Sequence, residues 1–144
     1  MHTTAESPSM FAIKTEVTDT DAKSWAFIKQ KTMYGGKMIA QGDTIFVFAS
    51  ENQGGSSLIA KGRVTLADAI RRKPGIERQT PRVSISVEAT AKVKHRLGRS
   101  DLKSFNTWND GRPETELNFK FYRQATNKVI GISPETSAYL LTCF

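Results

Sequence analysis

Lys37-Met-Ile-Ala-Gln-Gly-Asp-Thr-Ile-Phe-Val-Phe-Ala-Ser50, followed by Leu58-Ile-Ala-Lys-Gly-Arg-Val-Thr65, is the part of the sequence on which the fold turns. Gly42-Asp43 is a turn dipeptide, and the β-branched and aromatic run Thr44-Ile-Phe-Val-Phe48 after it reads as a buried strand. The polar, glycine-bearing loop 50–57 reverses the chain into a second strand over 58–66. Gly62 falls in the interior of that strand, where a glycine weakens the sheet unless the sheet bends or another backbone comes close. A small, sharply curved barrel requires that arrangement.

Working outward, residues 11–17 alternate apolar with polar or small side chains, as a strand with one face in the core does. Thr18, Asp19, Thr20 and Asp21 offer capping oxygens and early negative charge, which predicts a helix running through Ala22, Trp25, Ile28 and Lys31. Trp25, Ile28 and Lys29 would share a face covering one end of the barrel. The glycine-hinged loop 32–37 then leads into the Gly-Asp strand. Residues 68–72 suggest a short helical turn stopped at Lys73-Pro-Gly75. Residues 82–93 form the longest strand candidate, with Val83, Ile85 and Val87 on one face. A capped short helix is expected over 100–105, a turn-rich loop over 108–113, and a hairpin of 117–122 with 128–132 around 125–127. Ser133 as N-cap, Pro134 at the first helical position and Glu135 in the first turn open a closing helix. The count is about six strands and three helices, an α+β arrangement on a curved antiparallel sheet.

The order of turn, Gly-Asp, apolar strand ending in a small polar residue, glycine-rich loop and Ile-Ala-Lys-Gly-Arg-Val strand resembles the PUA-like superfamily, closest in pattern to its EVE-type and ASCH-type domains. The likeness covers residues 38–67 well and the rest by element order. It implies a PUA-like small curved antiparallel β-barrel with flanking helices, formed by one domain over 10–144 behind a disordered leader, 1–9. Met10 is an alternative start. It further implies a pocket beside the barrel that accepts a base, lined here by Trp25, Tyr34 and Ser50. The tryptophan-rich approach of EVE domains is absent, and Met33-Tyr-Gly-Gly-Lys37 stands in its place.

Composition sets bounds on function. The 144 residues carry 21 Lys and Arg against 14 Asp and Glu, a net charge of +7, which favours a polyanionic partner, RNA or DNA. The single cysteine, Cys143, excludes an internal disulfide and a thiolate cluster and suits a reducing cytoplasm. No apolar run is long enough to span a membrane. Lys92, Lys94, Arg96 and Arg99 form the densest basic run and are candidates for phosphate contacts, with Gly98 allowing close approach. Arg71, Arg72, Lys73, Arg78 and Arg82 make a second group before the same strand. Trp108, in a loop, joins Tyr34 and Trp25 as an aromatic able to stack on a base. Phe119 and Phe121 read as a core pair, leaving Tyr122 and Arg123 at the surface.

No set of residues has metal-ligand spacing, and no cofactor is indicated. The expectation is recognition without chemistry. The alternatives are a small ASCH-type hydrolase, using Lys61 or Lys92 with Glu88, and a protein-interaction module on the same fold.

Overall fold

The computed structural model describes residues 10–50, 57–123 and 128–144. The leader 1–9 and the turn 125–127 lie outside the described residues. Six strands close into one barrel: β1 (Met10–Thr15), β2 (Ser24–Met33), β3 (Thr44–Ala49), β4 (Ser57–Ala69), β5 (Arg82–Lys92) and β6 (Lys128–Ile132). They are hydrogen-bonded in the order β1-β3-β4-β5-β2-β6, and β6 returns to β1. Four pairings are antiparallel, while β1 with β3 and β2 with β6 are parallel, so the barrel is mixed.

The alternation of side chains along each strand divides the apolar residues into two cores. Phe11 and Ile13 of β1 join Phe27, Ile45, Val47, Val64, Ile85 and Val129, drawn from every strand, inside the barrel. Ala12, between them, belongs with Phe46, Phe48, Leu58 and Ile130 to an outer core roofed by helices. Those helices are α1 (Arg99–Leu102), α2 (Pro113–Leu117) and α3 (Pro134–Leu141), and they contribute Leu102, Leu117 and Leu140. Among the described residues none of these helices is long and apolar enough to cross a membrane.

Gly62 answers to the close approach expected of it. A Cβ there would stand 2.5 Å from Val87 Cγ1 and 2.8 Å from the Glu88 carbonyl oxygen. The ladder between β4 and β5 shifts register between Lys61 and Gly62 and again between Val64 and Leu66, which bends the long strands around the barrel. Ser133 caps α3 as expected, its Oγ accepting from the Thr136 amide at 3.1 Å.

Three elements differ from the sequence expectation. Residues 24–33 are a strand, not a helix through Trp25 and Ile28. A bulge between Phe27 and Gln30 puts Lys29 at φ 51°, so the core-facing positions run 25, 27, 30, 32. Ile28, expected on the buried face of a helix, is exposed. Residues 68 and 69 stay in β4, where Asp68 pairs with Ser84 and Ala69 with Val83, and form no helical turn. Residues 117–123 are not a hairpin limb: α2 continues into a π-helical segment, Asn118–Arg123. There Phe121 is fully buried and Phe119 only partly so. One strand was lost and another gained, which is why the expected number of strands agrees.

Candidate nucleic-acid interface

The connection between β4 and β5, residues 70–81, has no regular structure, and one glutamine orders it. Gln79 accepts from the Lys73 amide at 2.9 Å through Oε1 and donates from Nε2 to the carbonyls of Lys73 and Ile76, at 2.7 and 2.8 Å. Gly75 makes the turn at φ 83°. The base of the loop is closed by the Ile70 amide on the Arg82 carbonyl, 2.9 Å, and by Arg82 Nη1 on the Lys29 carbonyl, 2.9 Å. Held this way, Arg71, Arg72, Lys73, Arg78 and Arg82 line a cleft of about 600 Å³ together with Lys31 and Lys37. No Asp or Glu lines it. Seven cations around one cleft sum to a positive potential that surface screening does not remove at close range.

Lys37 belongs to the loop 34–38, which also builds a second cleft. Tyr34 and Gly35 are left-handed, at φ 53° and 83°, and the Gly131 amide donates to the Tyr34 carbonyl at 3.1 Å. Gly36 lies flat on β6, with space for no side chain, since a Cβ would meet the Val129 carbonyl oxygen at 2.1 Å. The turn leaves the Tyr34 ring 38% exposed. Across from it Trp108, 42% exposed, packs on Phe119 with ring centroids 5.5 Å apart, and together they border a cleft of about 410 Å³.

The floor of that cleft is polar and well held. Lys120 Nζ sits 4.7 Å from the Tyr34 ring centroid and donates to Glu116 Oε2 at 2.8 Å and to the Gly131 carbonyl at 3.0 Å. Glu116 also accepts from the Ser133 hydroxyl and amide and from the Thr136 hydroxyl. Burial pushes the Glu116 carboxyl up, but the donors Lys120, Ser133 and Thr136 outweigh it, so its pKa lies below the ordinary value. The loop carrying Trp108 is tied to α2 by Asp110, which accepts from the Arg112 amide and the Thr115 hydroxyl, both at 3.0 Å.

Of the residues singled out in the sequence, Tyr34 and Trp108 therefore share one cleft. Trp25 does not join them. It lies second in the strand that ends at Met33, and the nine residue steps from it to Tyr34 span roughly 30 Å of extended chain. Its indole donates to the Asp19 carbonyl at 2.9 Å, its ring stacks on Phe27, and Lys92 Nζ lies 5.1 Å from the ring centroid. Ser50 is half-buried at the opposite end of β1 from the Tyr34 loop, its amide on the Thr15 carbonyl at 2.8 Å.

The run 92–99 is dispersed. Lys92 Nζ is occupied by the carbonyls of Thr20 and Ala22, at 2.8 and 3.1 Å. The amides of Lys94 and His95 both reach the Cys143 carbonyl, Arg96 faces solvent, and Arg99 opens α1. Lys31, Lys37 and two buried lysines, Lys14 and Lys128, were not anticipated. The signal for the last two was present: a lysine in phase with the apolar side chains of a short strand.

Of the residues named for the hydrolytic alternative, Lys92 and Glu88 have other partners. Lys92 and Glu88 border the same open groove, of about 590 Å³. The Lys92 ammonium points to the carbonyls of Thr20 and Ala22, and Glu88 stands 4.0 Å from Arg63.

No family model matches the chain, and no curated protein does. Solved structures match over nearly its whole length. The DUF55 domain of human thymocyte nuclear protein 1 superposes with a TM-score of 0.62 at 14% identity, covering 93% of this chain and 97% of that one. Human THYN1 protein in complex with DNA containing 5-methylcytosine gives 0.63 at 14%, covering 93% and 96%. A hypothetical protein from Leishmania major gives 0.62 at 18%, covering 96% of each chain. These likenesses show the fold, a small closed mixed β-barrel with flanking helices of PUA-like type.

Proposed function

We propose that this chain is a nucleic-acid-binding module that runs a phosphate backbone along the basic cleft and rests an unstacked base against Tyr34 and Trp108. The observation that carries the reading is the cleft lined by seven Lys and Arg and by no carboxylate. A surface of that kind matches a polyanion with regularly spaced charges better than an acidic patch on a protein. The loop 34–38 supports the second half, because it places Lys37 on the cleft and Tyr34 beside Trp108 within four residues. The complex of a same-fold human protein with methylated DNA agrees in direction.

The test is binding to labelled single-stranded and duplex DNA and RNA, with and without methylated bases, across a salt series. Each phosphate neutralised contributes about 0.7–0.9 to the slope of log affinity against log salt, so a slope near −4 is expected for five contacts. A flat salt response overturns the reading. Preference for one member of the panel names the ligand.

A further inference from the structure

Three lysines stand side by side across three adjacent strands. Lys128 of β6 is the register partner of Lys14 on β1 and of Lys31 on β2. Directly opposed like charges destabilise a sheet, since such side chains start about 5 Å apart. Two members of the row are also out of water: Lys14 is 0% exposed and Lys128 2%. Lys14 Nζ lies 4.1 Å from the Tyr122 ring centroid and 3.4 Å from the Phe121 carbonyl. The Lys128 ammonium, with three protons to donate, has as its partner the Met33 thioether, 3.1 Å away, and sulfur of that kind is a weak acceptor. Among the described residues, the nearby charges that act on Lys128 are those of Lys31 and Lys14, both positive.

A buried ammonium ordinarily finds a carboxylate or a full set of carbonyls. Among the described residues Lys128 has a sulfur atom and two like charges instead, and its register partner Lys31 lines the basic cleft. We infer that the row Lys31–Lys128–Lys14 is an anion site taking a phosphate-type group, which enters past Lys31 and is held by the Lys128 ammonium. The site goes beyond the backbone groove, sharing only Lys31 with it. Its ligand is a phosphate or phosphoester, carried by a nucleic acid or by a small molecule.

The experiment is thermal unfolding of the purified chain against inorganic phosphate, with sodium chloride at matched ionic strength as control. Phosphate should raise Tm by about 3 °C beyond chloride at concentrations well above its Kd. Lys128→Met, similar in volume and uncharged, should be more stable than the parent in phosphate-free buffer and lose the phosphate response. Lys31→Met, at an exposed position that does not endanger folding, should weaken phosphate about threefold. No phosphate-specific shift in the parent, or an unchanged response in Lys31→Met, overturns the site, as does a Lys128→Met protein that unfolds earlier in phosphate-free buffer. Displacement of phosphate by an oligonucleotide assigns the group to a nucleic-acid backbone, and retention of phosphate alongside a bound oligonucleotide assigns it to a small molecule. The pair Arg71→Glu and Arg78→Glu separates the two readings, because it removes groove binding and leaves the phosphate response.

Discussion

The basic stretches 71–82 and 92–99 look alike in the sequence, each with several Lys and Arg around a glycine or proline. In the fold they diverge. The first is a loop whose backbone Gln79 satisfies from within; Arg72 and Arg82 each give one guanidinium nitrogen to a carbonyl, of Glu77 and of Lys29, and its cations line one cleft together with Lys31 and Lys37. The second follows the end of a strand and is spread out: Lys92 is held by two carbonyls, the backbone of Lys94 and His95 is tied to the Cys143 carbonyl, and Arg96 faces solvent. Charge density along a chain and charge density in a cleft are therefore different quantities. The conformation of the connecting backbone decides which of them a ligand meets.

The contrast can be broken most forcefully at the groove. Arg71→Glu with Arg78→Glu should lower oligonucleotide affinity about 100-fold at 0.1 M salt and flatten the salt slope, measured by fluorescence anisotropy. Next comes Tyr34→Ala, for which a loss of about tenfold is expected from a stacking contribution of roughly 1–3 kcal/mol, with Tm unchanged. An unchanged affinity would remove the ring from the interface.

Acid should then separate the cleft from the groove, since arginines do not titrate in the range where Glu116 does. Its folded pKa lies below the ordinary value, so its contribution is present above 4.5 and is lost as the pH falls through the folded value. Tm followed from pH 6 to pH 3 should fall more steeply for the parent than for Glu116→Gln. The smallest effect is expected at Arg96→Ala, less than about twofold in affinity, because the residue is exposed and stands outside the clefts described. A loss as large as that of the groove variants would reverse the comparison.

How much was legible follows from which signals are local. The strand opened by Gly42-Asp43, the curved strand through Gly62 and the Ser133-Pro134 helix start were all readable, since turn chemistry and capping act within a few residues. Trp25 was misread because cap residues precede it and Ile28 falls three positions on, as on a helix, whereas Ile28 is exposed and the bulge at Lys29 interrupts the two-residue period of the strand. Residues 117–121 misled in the opposite sense, their apolar alternation fitting a strand although positions 117, 118 and 121 are the buried ones. Tyr34 and Trp108 could be chosen as loop aromatics, but their meeting depends on the π-helical segment that carries Phe119 and Lys120. Lys31 and Lys128 became neighbours only through a parallel pairing that no local pattern encodes.

The closure of the barrel also governs the order in which the protein can fold. β6 is the last strand in the chain, and it is hydrogen-bonded to β1, the first, on one side and to β2 on the other. Until β6 has been synthesised, β1 and β2 each keep an unsatisfied edge, the kind of surface on which a growing chain pairs with the wrong partner. The final step joins residues from opposite ends of the sequence, a contact with a large loop-closure cost and a correspondingly slow rate. β6 is thus the keystone of the fold, and during synthesis the earlier strands must wait for it.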